Sequence, residues 1–165
     1  RPDKEFFLSE SNPIRVFATH CFEETDDYLR IFEFLESVDR FYYLNVSKPE
    51  NLPTGGQQEL KDELIAQIKA AEAMFVLPST YEQNRDLTNF MMDVGEANNI
   101  SMITIRPFGG LHETPAELVK RCGEPIEWND REMVDALKLL ARGEDTARWE
   151  VLDFPGFDEN GPIEN

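Results

Sequence analysis

The chain has 165 residues, with 33 Asp and Glu against 16 Lys and Arg for a formal charge of −17, and is 41% hydrophobic and 11% aromatic. A chain of this length buries roughly 70% of its unfolded surface around a single core, which argues for one domain and against two. The apolar content argues against disorder over most of the length, and the acidity against nucleic acid or an anionic membrane as partner.

Ile14 to Thr19 is rich in β-formers, and a polar break then leads to Tyr28, Ile31, Phe32 and Leu35 at helical spacing. Phe41 to Leu44 reads as a second strand. Lys48 to Gly56, rich in Pro, Gly and Asn, is a loop before a helix carrying Leu60, Leu64, Ile65 and Ile68. Ala73 to Leu77 is a short apolar run suited to a strand buried on both faces, and Pro78-Ser79-Thr80 ends it. A helix follows near Asp86 to Asn98, then a strand over Ser101 to Arg106 and a turn at Pro107-Phe108-Gly109-Gly110. Pro115 marks the first turn of a short helix. Pro125 to Trp128 reads as a weak fifth strand, and Arg131 to Leu140 as an amphipathic last helix with Met133, Val134, Leu137 and Leu140 inward.

Strands alternating with helices predict a three-layer α/β domain over residues 1–142 with a five-stranded parallel sheet in flavodoxin-like order, since parallel neighbours need right-handed helical crossovers. Residues 143–165 read as an acidic tail, partly disordered, whose Trp149, Phe154 and Phe157 pack back onto the domain. In such sheets ligands bind beyond the carboxyl ends of the strands, so the loops after Thr19, Asn45, Leu77 and Arg106 form the expected rim.

Two cysteines, Cys21 and Cys122, stand far apart without a CxxC pair, no charged-then-apolar leader opens the chain, and no apolar run approaches about 18 residues. The expected address is cytoplasmic. Cys21 does not read as a phosphatase nucleophile, because position 27 is Asp27 where a phosphate-clamping arginine would stand, and Glu23 and Glu24 oppose a thiolate. His20, Cys21, His112 and Cys122 lack the close spacing of a metal site, so none is expected. Neither GxGxxG nor GxxxxGK[ST] occurs. Arg106, at the end of a strand, is the expected anion anchor, with pairing to a surface carboxylate as the alternative.

The run Arg15-Val16-Phe17-Ala18-Thr19-His20-Cys21-Phe22 resembles the first strand and loop of the TIR-like proteins of bacterial antiphage defence. Asp27-Tyr28 is similar to the start of that family's first helix, and Asn45-Val46-Ser47-Lys48-Pro49 to its Asn-x-Ser-x-Pro loop. Tyr81, Arg106-Pro107-Phe108-Gly109 and Glu127-Trp128-Asn129 resemble later landmarks. The resemblance spans Arg15 to about Leu140 and implies a TIR-like domain that splits NAD at the nicotinamide–ribose bond to make a cyclised ADP-ribose signal, with a carboxylate beside the ribose stabilising the developing positive charge. The family takes that carboxylate from a Trp-x-x-x-Glu stretch on its third helix. Here the matching positions are Leu87 and Met91, and Thr19, Cys21 and Phe22 replace the usual serines and tryptophan around His20.

What the resemblance implies is therefore a diverged member that binds NAD or a related nucleotide through Thr19, His20, Asn45, Ser47, Tyr81 and Arg106, with no tightly bound cofactor, in a nucleotide-signalling or antiphage defence system. It would assemble with a protein partner or as a homo-oligomer. The alternative is an active NAD glycohydrolase or ADP-ribose cyclase with a relocated carboxylate, Asp93 or Glu82. A third reading, from another class, is a ligand-free interaction domain.

Overall fold

The computed structural model describes residues 8–144. The elements run β1 (Ile14–Ala18), α1 (Asp26–Glu36), β2 (Tyr43–Asn45), α2 (Gln57–Lys69), β3 (Ala73–Val76), α3 (Pro78–Gln83), α4 (Arg85–Ala97), β4 (Ser101–Thr104), α5 (Ala116–Cys122) and α6 (Asp130–Arg142). The strands pair in parallel in the order β2-β1-β3-β4, compatible with a flavodoxin-like α/β fold. None of these helices is long and apolar enough to cross a membrane.

The period-two alternation of the central strands divides the interior into two apolar layers. Val16, Ala18, Ala73 and Phe75 point toward α1 and α6, where they meet Tyr28, Ile31, Leu35, Met133, Val134 and Leu137. Phe17, Met74 and Val76 point the other way, onto Leu64 and Ile68 of α2, Met91 and Met92 of α4 and Leu118 of α5. Side-chain caps set the helix starts: Thr25 Oγ1 accepts from Tyr28 N at 3.3 Å, Asn84 Oδ1 from Leu87 N at 3.0 Å and Asn129 Oδ1 from Glu132 N at 2.9 Å. Each such cap contributes about 1 kcal/mol. Gly95 lets α4 lie close on the sheet, since a Cβ there would stand 2.6 Å from Met74 Cε.

Among the described residues the sheet has four strands, not five. The expected strand at Pro125–Trp128 is reduced to one parallel bridge, Ile126 beside Ile105, with Ile126 N donating to Thr104 O at 3.0 Å and Arg106 N to Ile126 O at 2.9 Å. Gly123 enters the segment at φ 91°, Pro125 has no amide proton to donate, and Asn129 already caps α6, so no length remains for a ladder. Pro78 both ends a strand, as expected, and begins α3, a helix not expected from the sequence, because proline suits the first helical turn. The tail aromatics Trp149, Phe154 and Phe157 lie outside the described residues.

Where the sheet begins, the guanidinium of Arg142 is buried against Glu72, with Nη2 2.9 Å from Oε2, and also donates to Pro13 O at 3.0 Å. Arg15 adds a second bridge to Glu72 at 3.0 Å. This ties α6 to the entrance of β1 and β3. Burial alone would raise the Glu72 carboxyl, but hydrogen bonds and charge from Arg142 and Arg15 outweigh it and hold the group below its ordinary value.

Candidate functional site

Beyond the carboxyl end of β1 the chain enters Thr19-His20-Cys21-Phe22, and the first two of these side chains are buried. Thr19 joins two strand ends: its amide donates to Phe75 O at 3.0 Å, its Oγ1 accepts from Leu77 N at 3.0 Å, and its carbonyl accepts from Thr80 Oγ1 at 3.2 Å. Both ring nitrogens of His20 are engaged. Nδ1 accepts from Phe22 N at 3.0 Å, which leaves the proton on Nε2, donated to Gln67 Oε1 at 2.9 Å. Burial holds the imidazole below its ordinary value, against the opposing influence of the Gln67 hydrogen bond and of Glu50 and Glu63.

Gln67 was not singled out in the sequence, yet its amide joins two loops. Oε1 also accepts from Lys48 N at 2.8 Å, and Nε2 donates to Lys48 O at 3.0 Å and Glu63 Oε2 at 2.9 Å. Asn45 and Ser47 close a ring with Tyr28: Asn45 Nδ2 donates to the Tyr28 hydroxyl at 3.0 Å, that hydroxyl donates to Ser47 Oγ at 3.2 Å, and Ser47 Oγ donates back to Asn45 Oδ1. Tyr28, on the face of α1 expected from helical spacing, is core by its ring and part of this network by its hydroxyl. Thr19, His20, Asn45 and Ser47 are thus brought into one region, where their polar groups hold loops in place.

One consequence is the backbone of Phe22, held at φ 64° by the hydrogen bond to His20. A bulky residue in this region is uncommon and is sustained by its surroundings. Phe22 and Cys21 form one wall of a groove of about 520 Å³. Leu52 closes it from the loop after β2, Gln57, Leu60 and Lys61 from the first turns of α2, and Asn84, Asp86 and Leu87 from the start of α4. It lies beyond the carboxyl ends of neighbouring strands β1 and β3, where the strand order reverses, the position at which open α/β sheets receive ligands. The lining combines apolar side chains with one cation, one carboxylate and two amides.

None of the six expected binding residues lines this groove: Thr19, His20, Asn45 and Ser47 lie behind it in the loop network, and Tyr81 and Arg106 lie apart from it. Tyr81 packs in the layer under α2 and α4, with Arg85 5.3 Å from its ring centroid. Arg106 is half exposed and pairs with Glu127 at 2.5 Å, while its carbonyl accepts from Trp128 Nε1 at 2.7 Å. The surface-pair alternative for Arg106 is the arrangement found. Asp93 is exposed and held by Arg121 at 2.7 Å, Glu82 is exposed on α3, and Met91 is fully buried among apolar side chains. Asp86, not among the carboxylates expected from sequence, is the one that lines the groove, because α4 begins at Arg85 and its first turn faces the loop after β1.

The thiol of Cys21 is pushed up by burial and then by Glu23, which opposes nucleophilic use. Burial, with Glu96, pushes Cys122 up to about 11 despite Arg121 nearby. Among the described residues no group of three His, Cys, Asp or Glu side chains is placed to hold a metal ion.

No protein-family model matches the chain, and no curated protein matches it. What the fold and the groove define is a parallel α/β domain with a mixed apolar and polar cleft at the carboxyl edge of its sheet.

Proposed function

We propose that this chain is a TIR-like domain of a nucleotide-signalling or antiphage defence system, and that it binds NAD or a related nucleotide without cleaving it. The observation that carries the reading is the groove at the strand-order reversal, with Phe22 on one wall and Lys61 on another. A planar base packs against Phe22, Leu60 and Leu87, Lys61 answers the phosphates, and Gln57, Asn84 and Asp86 take ribose hydroxyls. The resemblance of the loop sequences to the TIR-like family supports the choice of nucleotide. Met91, at the position matching that family's catalytic glutamate, is apolar and buried, which supports binding without turnover.

A second reading, NAD cleavage by a relocated carboxylate, is favoured by Asp86 alone, since Asp93 is engaged by Arg121 outside the groove. Thermal unfolding with NAD and with ADP-ribose, beside chromatographic assay of released nicotinamide, separates the readings. Ligand at a hundredfold excess over its dissociation constant adds about 2.7 kcal/mol of stability. The expected result is a raised Tm that Lys61→Glu removes, with no nicotinamide released. Release abolished by Asp86→Asn would establish the enzyme, and no Tm rise with either nucleotide would leave a ligand-free interaction domain.

A further inference from the structure

Among the described residues the sheet ends at β2, which pairs there with β1 alone. Ile14 N donates to Tyr42 O at 3.0 Å and Val46 N to Val16 O at 2.9 Å. Residues 42, 44 and 46 therefore face β1, and the amides and carbonyls of Tyr43 and Asn45 point away from the sheet. Such an edge is a template for another extended chain, and proteins commonly blunt it with an inward charge, a proline or a covering loop. None of these stands in Tyr43–Asn45, and Leu44 at its centre is 51% exposed.

A groove flanks the edge on each face. On the α1 side Leu29, Phe32 and Tyr43 line a groove of about 520 Å³ whose charged members are Glu33 and Glu36. Phe32 and Tyr43 stack with ring centroids 5.9 Å apart, and the Tyr43 hydroxyl donates to Glu36 Oε1 at 2.9 Å, which fixes one carboxylate beside the edge. On the α2 side Leu44, Ala66 and Ala70 line a groove of about 360 Å³ whose charges, Lys48 and Glu63, balance.

We infer that β2 is a docking edge for an extended segment of a partner protein in which lysine or arginine alternates with aliphatic residues. Alternation places successive side chains on opposite faces of the added strand. One face then carries cations to Glu33 and Glu36 while the other lays aliphatic groups over Leu44 and Ala66. A second copy of the chain is the less suitable occupant. Antiparallel β2–β2 pairing about a two-fold axis perpendicular to the sheet keeps each face in register, so Glu33 and Glu36 would meet the same carboxylates on the copy, in a chain of formal charge −17.

The test is fluorescence anisotropy with a capped, labelled hexapeptide of alternating lysine and valine. Its controls are an alternating glutamate and valine peptide and a lysine–valine peptide N-methylated at alternate amides. The lysine–valine peptide is expected to bind with micromolar affinity, to lose at least tenfold with Glu33→Lys/Glu36→Lys, and to lose binding on N-methylation. The glutamate–valine peptide is expected not to bind. Both glutamates are exposed, and an unchanged Tm confirms that the double variant folds. Equal binding of the two charge types, or indifference to N-methylation, would overturn the inference. So would a concentration-dependent dimer that Leu44→Lys dissolves, which would assign the edge to a second copy.

Discussion

Met91→Glu places a carboxyl group where the TIR-like resemblance would have a catalytic glutamate and where the structure has a fully buried methionine among Phe17, Leu64 and Leu87. A glutamate unfolds with a pKa of about 4.3, whereas one deep in an apolar interior reaches about 8. Because the folded value is the higher, stability is fully present below about pH 4.3 and is lost as pH rises toward about 8, at about 1.4 kcal/mol per pH unit. Between pH 5 and pH 7 the variant should lose about 2.7 kcal/mol relative to Met91→Gln, which carries the polarity without the charge. That is a large part of the roughly 5–15 kcal/mol that holds a domain folded. Urea unfolding of both variants at pH 5, 6 and 7 measures the difference. A gap between them that does not change with pH would mean a solvated carboxylate, and the reasoning that puts Met91 in the core would fail; that position would then face the groove, as catalysis requires.

His20 supplies a pH dependence of opposite sign. Burial holds its folded pKa low, so the unfolded chain takes up the proton first as pH falls below about 6.5. Stability conferred by the neutral ring is complete above that value and declines below it by at most about 1.4 kcal/mol per unit; His20→Gln should flatten urea midpoints between pH 5.5 and 7.5, and an unchanged slope would show that the ring is not buried neutral. Arg142→Met should cost about 3 kcal/mol by leaving Glu72 with only the half-exposed Arg15, and adding Glu72→Met should recover much of that loss, since replacing both members of a buried pair with apolar groups is often nearly neutral. If the double variant is no more stable than the single one, the attribution of the loss to an uncompensated carboxylate is wrong.

The fold was legible because buried parallel strands leave short apolar runs, such as Ala73–Val76, and covering helices leave a stripe, as in Met133, Val134 and Leu137. The fifth strand was not, because Ile126 has the composition of a strand while strand existence depends on a neighbour's free edge and on length for a ladder. The reading of chain order placed Thr19, His20, Asn45 and Ser47 after the strands, where the structure gathers them, though none of them lines the groove. It did not find Gln67, whose hydrogen bonds reach 47 and 19 residues along the chain, to His20 and Lys48. No local pattern carries such a pairing.

The sequence by itself determined the class of fold, the positions of most elements and which loops gather at the carboxyl edge, because periodicity and the handedness of crossovers are local rules repeated along the chain. Only the tertiary structure decided which of those loop residues face inward and which face the groove. His20 and Thr19 turn their polar groups into the protein, and Phe22, Lys61 and Asp86 line the cleft. The reason is that a side chain's role there depends on partners brought close by the sheet and its helices, and the distance between those partners in space has no counterpart in their separation along the chain.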